Sequence, residues 1–547
     1  MGGPCRLRRR HDRNTNRPDL KRCRLLARFA PSGCARCIAV AATGLAAAPA
    51  AAQSPTFTPL GFAVPAHYRS SAFAVSADGS VIAGVSEGSE GKQAFLWTIP
   101  AGMTALGDLP GGALSSHAAA ISADGSVIVG TGTTTLGPRP FRWTAALGLQ
   151  DLGALPTGNG RGRATGVSAD GAVIVGASSV SGGSAAFRWT AGSGMVSLGA
   201  LAGGEAISEA EGVSADGSTV VGYAFMQGRP APFRWRAQGG MSALLDAMGV
   251  PGAGAAHGTN SDGSMVVGYR DLATGMREGF RWSAGAGLQG LGTLGVDLLQ
   301  VVVSDVSDSG DLLVGTGGAH GVLQAQIWDE FFGLENLAET LRNAYGLEPQ
   351  LRGWTLRNVY AVAANGTTLV GDGINPCGQV EAWAATFNPL CRPPQVWDAP
   401  EDEFVPEGVA RSYTVDVRSA LPMTHQWLKD GVPVADSPLV TGTTSKTINF
   451  LAFATADGGL YRLESTNVCG VSSTVEVAWV PREACPLDYN DDGSLNPDDL
   501  GDYITDYYFF SGMPEFPFPP RADFNLDGSL NPDDIGDYIT AYYTGGC

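Results

Sequence analysis

The chain is short of cations, histidine, cysteine and long apolar runs. Only 16% of its 547 residues are charged, and 35 Lys and Arg face 53 Asp and Glu, for a formal net charge of −18. Phosphate binding needs clustered cations, so this balance argues against nucleic acid as a partner. Eleven of the cations fall in residues 1–37, and the remainder of the chain carries 24 basic and 51 acidic residues. Beyond position 52 there are five histidines, His67, His117, His257, His320 and His425, and they occupy different phases of the pattern described below. No His-Glu-x-x-His, phosphate-binding loop or dinucleotide fingerprint occurs. Five cysteines lie beyond position 52, Cys377, Cys391, Cys469, Cys485 and Cys547, none in a C-x-x-C pair, which removes zinc and thioredoxin-like readings. No segment reaches the ~18 uninterrupted apolar residues needed to span a bilayer.

Glycine is abundant, with 76 residues, and 44% of the chain is hydrophobic. Many turns and little charge predict short strands, the apolar content is ample for a core, and the length calls for more than one domain. Residues 38–52, IAVAATGLAAAPAAA, follow a basic stretch and end in an A-x-A-like site before Gln53. That is the order of a cleaved export signal, so residues 1–52 are read as a signal peptide and the remainder as secreted. The basic stretch is longer than such a signal needs, so the expected start of translation falls inside it rather than at Met1. In an oxidising compartment disulfides are expected.

Self-similarity dominates residues 57–390. SADGSVIAG begins at Ser76, and related strings begin at Ser122, Ser168, Ser214, Asn260, Ser307 and Ala363. The turn glycines, Gly79, Gly125, Gly171, Gly217, Gly263, Gly310 and Gly366, are spaced by 46, 46, 46, 46, 47 and 56 residues. Trp97, Trp143, Trp189, Trp235, Trp282, Trp328 and Trp383 keep step, five of them in Phe-x-Trp, and a Leu-Gly pair precedes most turns. The longer last gap holds a helix-like insert, ENLAETLRNAYGL, from Glu335. Asp-Gly between apolar runs predicts a tight hairpin with both central residues at positive φ. Four short strands per unit is the size of a propeller blade, and seven blades can close a ring. Phe and Trp are then expected between neighbouring sheets. The chain enters at Leu60-Gly61 and leaves after Trp383, so residues 57–64 are expected to pair beside 381–388 and complete the last unit. Cys377 and Cys391 lie near this seam, and a Cys377–Cys391 disulfide is expected to staple it. An open solenoid is the competing architecture; it would need polar caps, and none is evident. Asp78, Asp124, Asp170, Asp216 and Asp262 are read as turn residues that bond their own backbone. Gly84-Val85-Ser86-Glu87-Gly88 has the spacing of a nucleophile elbow but falls where a strand is expected.

These strings, with Gly353-Trp354-Thr355-Leu356 and Asn375-Pro376-Cys377-Gly378 in the last unit, resemble the HAF extracellular repeat family of exported bacterial proteins. The resemblance implies an exported β-rich repeat. Residues 393–482 break the period, and QWLKDG at 426–431 and DGGLY at 457–461 are similar to a bacterial immunoglobulin-like domain. The resemblance places Trp427 as a buried Trp and Tyr461 as a corner Tyr. Leu463 stands at one usual cysteine position and Val415 or Val417 at the other, so that core is expected to be apolar and disulfide-free. Cys469 is expected in a loop as the unpaired thiol.

The tail from Cys485 to Cys547 holds thirteen acidic residues and one basic residue, Arg521. An identical order of oxygen donors recurs in it at an offset of 35. Calcium takes six to eight oxygens, and EF-hand loops supply them at fixed positions around a Gly turn. The first set is Asp488, Asn490, Asp492, Ser494, Asn496 and Asp499; the second is Asp523, Asn525, Asp527, Ser529, Asn531 and Asp534. Two Ca2+ ions are expected. One helix follows each loop, from Leu500 and from Ile535, and loop plus exit helix, twice, resembles a dockerin, with Gly546-Cys547 similar to the subtype that ends in Gly-Cys. The resemblance implies docking to a cohesin-like or cell-envelope protein, although Pro497-Asp498 and Pro532-Asp533 differ from the hydroxyl residues common in cellulosomal dockerins. Cys485 and Cys547 are expected to pair as Cys485–Cys547. Tyr503, Tyr507, Tyr538 and Tyr542 form either an aromatic contact face or the small core.

The expected fold is mainly β: a seven-bladed β-propeller over 57–392, an immunoglobulin-like β-sandwich over 393–482 and a small α-helical dockerin-like module over 485–547. The expected function is a non-enzymatic, surface- or matrix-anchored protein whose propeller binds glycan or protein. The alternative is an extracellular carbohydrate-active hydrolase or lyase with its site in the propeller channel.

Overall fold

The computed structural model describes residues 54–246, 248–250, 252–292, 300–319, 322–389, 391–401, 403–406, 408–473, 476–482, 500–505 and 535–540. The described chain is mainly β, in many small sheets. The third unit shows the pattern: Gly162–Val167, Ile174–Val180, Gly183–Thr190 and Gly194–Ser197 form an antiparallel sheet in sequence order. The seventh unit has three strands of its own, Thr355–Val362, Thr368–Ile374 and Val380–Thr386. Its fourth is Thr56–Gly61, antiparallel to Val380–Thr386 with Thr56 opposite Thr386 and Gly61 opposite Ala382. This is the pairing expected of 57–64 with 381–388.

The turns differ from expectation. Gly79 has φ +78°, but none of the Asp residues before the turn glycines lies at positive φ. A wider turn forms instead. The Gly79 amide donates to the Ser76 carbonyl at 2.9 Å. Asp78 Oδ1 accepts from the Ser76 hydroxyl at 2.7 Å and the Ser80 amide at 3.0 Å. The Ser76 hydroxyl accepts from the Val81 amide at 3.0 Å. The carboxylate thus braces the turn without a positive φ at its own residue and leaves the left-handed position to Gly. Asp124, Asp170, Asp216 and Asp262 accept the matching amide at 2.9–3.0 Å. These five Asp are turn residues, as read from the sequence.

Neighbouring units interlock through the same glycines. A Cβ on Gly125 would lie 2.7 Å from Val81, and one on Gly171 2.5 Å from Val127, each in the preceding unit. A Cβ on Gly79 would lie 2.4 Å from Thr368 Oγ1 of the seventh unit. The apolar cores follow the same order. Phe141 packs with Ala83 and Ala94 of the unit before it, Phe187 with Val127 and Val129, Phe233 with Val173 and Val175. Ile82 and Phe95 of the first unit pack with Val370 and Ala382 of the seventh. The first strand of each unit lies beside that of the next, and that of the seventh lies beside that of the first. The insert forms two short helices, Leu337–Asn343 and Glu348–Leu351, whose leucines join the core beneath Trp354 and Phe57.

Beyond residue 393, sheets of six, three and two strands enclose Val405, Val415, Val417, Trp427, Tyr461, Leu463 and Trp479. Trp427 and Leu463 are opposite each other on paired strands. The Tyr461 hydroxyl donates to the Asp457 carbonyl at 2.6 Å. Trp479, not singled out from the sequence, stacks on Tyr413 at 3.7 Å and on Tyr461 at 4.5 Å.

The cysteine pairing is corrected. Cys391 is bonded to Cys469, with their Cα atoms 5.2 Å apart, so Cys469 is not a free thiol and Cys377–Cys391 does not form. Cys377 precedes the seven-residue strand Val380–Thr386 and Cys391 follows it. A strand of that length spans roughly 20 Å, whereas bridged Cα atoms lie within about 7 Å. Cys377 is itself disulfide-bonded. The junction is further held by buried Arg392, whose guanidinium meets Glu335 at 2.7 Å and covers Phe332 at 3.9 Å. Asn467 Nδ2 donates to the Arg392 carbonyl at 2.7 Å.

In the tail, residues 500–505 and 535–540 are helical. Tyr503 and Tyr538 are fully buried and stack at 3.8 Å with ring planes 3° apart, so these two form core. Tyr507 and Tyr542 lie outside the described residues.

Candidate functional site: a cavity lined by seven strands

Each unit's first strand carries a β-bulge at the same place. The pairing register shifts between Ala72 and Ala74, Ala118 and Ala120, Ala164 and Gly166, and Ala210 and Gly212. It shifts again between Ala256 and Gly258, Val303 and Asp305, and Val359 and Ala361. The skipped residues are Phe73, Ala119, Thr165, Glu211, His257, Ser304 and Tyr360. All seven line one cavity of about 250 Å3. A bulge re-aims its side chain and is common beside functional sites. The glycine ending each VIVG-type string makes the bulge possible: a Cβ on Gly130, Gly176 or Gly222 would lie 2.0, 2.0 or 2.1 Å from a carbonyl oxygen of the bulged strand.

The lining is chemically uneven. Phe73 and Tyr360 meet edge to face at 4.7 Å. The Tyr360 hydroxyl donates to buried Asp372 at 3.2 Å, and Asp372 also accepts from Ser71 and from Asn358, each at 2.7 Å. Glu211 accepts from Arg163 Nη2 at 3.0 Å, and the same nitrogen bonds Glu209. Burial pushes the Glu211 carboxyl up, and Arg163 opposes the shift. Burial lowers the His257 imidazole, whose Nδ1 lies 3.2 Å from the Val303 carbonyl. Asp305 stands where all six other units have Ala or Gly at the cavity. Burial raises it to about 6 even though the Val362 and Val306 amides donate to it at 3.0 and 2.9 Å. Glu211, Asp305 and Asp372 are therefore each committed to donors within the fold, and among the described residues no three His, Cys, Asp or Glu are grouped to hold a metal. These residues escape a search for repeats because they occupy a position of the first strand where the repeat does not repeat.

The other candidates are placed as follows. Ser86, in the elbow-like string, lies in the strand Val81–Gly88, fully buried, with its hydroxyl 2.7 Å from His67 Nδ1. A buried hydroxyl on a continuous strand is a packing element, not an exposed nucleophile. All twelve calcium-loop residues, Asp488, Asn490, Asp492, Ser494, Asn496, Asp499, Asp523, Asn525, Asp527, Ser529, Asn531 and Asp534, and the Cys485–Cys547 pair lie outside the described residues. Among the described residues no helix is long and apolar enough to cross a membrane.

No family model matches the chain, and no curated protein matches it. Solved immunoglobulin domains are similar over a small part. Titin M4 is 24% identical over 16% of this chain and 95% of its own, with a TM-score of 0.15. The titin M10–obscurin-like 1 immunoglobulin complex is 22% identical over 17% of this chain and 97% of its own, with a TM-score of 0.16. The immunoglobulin-like domain of human leucine-rich repeat-containing protein 4 is 23% identical over 16% and 88%, with a TM-score of 0.14.

Proposed function

We propose that this is an exported, non-enzymatic binding protein with a seven-bladed β-propeller platform, an immunoglobulin-like spacer and a calcium-ordered, dockerin-like anchoring module at the cell surface or matrix. Four features support the propeller: seven units of four strands each, the pairing of Thr56–Gly61 with the last unit, the packing of unit one on unit seven, and a cavity to which every unit contributes. The buried Trp427 and the Tyr461 hydroxyl on its own corner support the immunoglobulin-like reading. The repeated oxygen-donor order, each copy followed by a helix, supports two calcium sites and docking to a cohesin-like or cell-envelope protein.

The observation that carries binding over catalysis is the bulge ring. Seven units repeat their turn and core residues while the cavity position reads Phe, Ala, Thr, Glu, His, Ser and Tyr. Hydrolysis of a glycosidic bond takes a pair of carboxyl groups available to the substrate, and the carboxylates here are engaged by Arg163 and by backbone amides. Incubation of the full chain with a panel of glycans and of envelope proteins separates the readings. Retention without product, weakened by Glu211→Gln or His257→Ala, is expected. Product release abolished by Glu211→Gln or Asp305→Asn would establish the hydrolase or lyase reading. For the anchor, calorimetry should give two calcium ions per chain, and Asp492→Ala and Asp527→Ala should each remove one.

A further inference from the structure

A second recess, of about 440 Å3, lies where the sixth unit, the helical insert and the sandwich meet, and no step of the reading above uses it. Its walls come from sequence-distant elements: Gln324, Asn336, Glu339 and Asn343 from the repeat side, Gln395 and Trp397 from the sandwich side. Trp397 is half exposed, although large aromatics are usually covered. Arg418 lies 4.0 Å over its ring and fixes its orientation, with its own charge taken by Asp416 at 2.9 Å.

The polar groups around this ring retain unused hydrogen-bonding capacity. The Asn343 amide side chain and the Glu339 carboxylate make no hydrogen bond or ion pair among the described residues. Gln395 spends its amide nitrogen on the Pro393 and Pro394 carbonyls, at 3.0 and 3.4 Å, which leaves its oxygen as an acceptor. Gln324 spends its oxygen on Asn336 at 3.2 Å, which leaves its nitrogen as a donor. The floor is already neutralised, because Arg392 is paired with Glu335. A flat aromatic beside several amides and a carboxylate fits a ligand with one C–H face and a rim of hydroxyls. The one uncompensated charge, Glu339, disfavours an anionic ligand.

We propose that this junction recess is a saccharide subsite, in which a neutral sugar ring stacks on Trp397 and its hydroxyls bond Asn343, Glu339, Gln324 and Gln395. It is separate from the central cavity and does not depend on what that cavity binds. The test is calorimetric titration of the full chain with cellohexaose, xylohexaose and maltohexaose, and with an oligogalacturonate as the anionic comparison. At least one neutral hexaose should bind, more tightly than the oligogalacturonate. Trp397→Ala should weaken it by about tenfold or more, the scale of losing one stacked ring, and Asn343→Ala by less. The proposal is overturned if none of the three hexaoses binds, if the oligogalacturonate binds as tightly, or if Trp397→Ala binds like the parent. Because Trp397 is on the surface, a native circular dichroism spectrum of the variant is expected, and Asn343→Ala provides an independent reading if that spectrum changes.

Discussion

At the scale of single residues, the repeated aspartates show how one carboxylate can serve a turn and make it sensitive to acid. The Ser122 hydroxyl and then the Ser126 amide hold Asp124 down at about 2, Asp78, Asp170 and Asp216 are lowered by the matching pair of donors, and Asp262 is lowered by the Ser264 hydroxyl and then the Ser264 amide. A carboxyl depressed in the folded state stabilises it fully above the unfolded value near 4. That contribution fades as pH falls from about 5 toward 2. Asp305 has the opposite sign: burial raises it to about 6, so its ionisation disfavours the folded state as pH rises through that value. The seventh unit carries Asn365 at the turn position, and its side-chain oxygen accepts the Thr367 amide at 2.9 Å. An amide therefore makes the bond without titrating. Changing all five turn Asp to Asn should leave the melting temperature near neutral pH almost unmoved and flatten its decline in acid. Thermal melts of parent and variant between about pH 7 and about pH 2.5 check this. Parallel declines would mean that the acid limb has another source.

At the scale of the element, the bulged first strand depends on a residue in the strand beside it. Gly130 has no left-handed φ, yet a Cβ there would lie 2.0 Å from the His117 carbonyl oxygen. Gly130→Ala must push the bulge flat or part the strands, at a cost of roughly 2–4 kcal/mol, in the range of overpacking and strain. Gly148, with φ +65° and nothing within 4 Å of its Cβ, serves as the comparison. Gly148→Ala should cost only about 1 kcal/mol for its backbone conformation. Urea unfolding midpoints distinguish the two. This contrast also explains what the sequence could reveal. Turn glycines, VIVG glycines and Phe-x-Trp recur because every unit meets the same contacts, so the period and the strand order were legible. The two-residue turn was misjudged because Asp-Gly fits two turn geometries, and the side-chain bonds that choose between them involve Ser76 and Ser80. The bulge residues looked like noise because cavity-facing side chains meet no packing contact that recurs from unit to unit. Trp479 belongs to no period, and the Cys391–Cys469 bond spans 78 residues, so neither left a local trace.

At the scale of the molecule, the decisive strand is the one that makes the last unit whole. Thr56–Gly61 comes first in the chain and pairs with Val380–Thr386, which lies more than three hundred residues away. It carries Phe57 into the core with Trp354 and Trp383, and Leu60 into the core shared by units one and seven. The Phe57 amide donates to Gln350 of the insert, and the Gly61 amide donates to Glu381. If the seven units close as a ring, removing residues 54–61 opens an edge in the last sheet and strips apolar cover from two unit interfaces at once. Burial of two large apolar side chains is worth roughly 3–6 kcal/mol, so the loss should be of that order. The form of the loss matters more than its size. In a ring, unit one and unit seven support each other, so the truncated protein should unfold in one transition at a lower denaturant concentration. In an open solenoid each unit depends only on its neighbours, and the truncation would fray the ends while Phe187 and Phe233 kept their protection. Hydrogen exchange at the Ile174–Val180 and Thr219–Met226 strands, far along the chain from the cut, separates these outcomes. Faster exchange there in the truncated protein is the behaviour of a closed ring, and unchanged protection would leave only a row of stacked sheets.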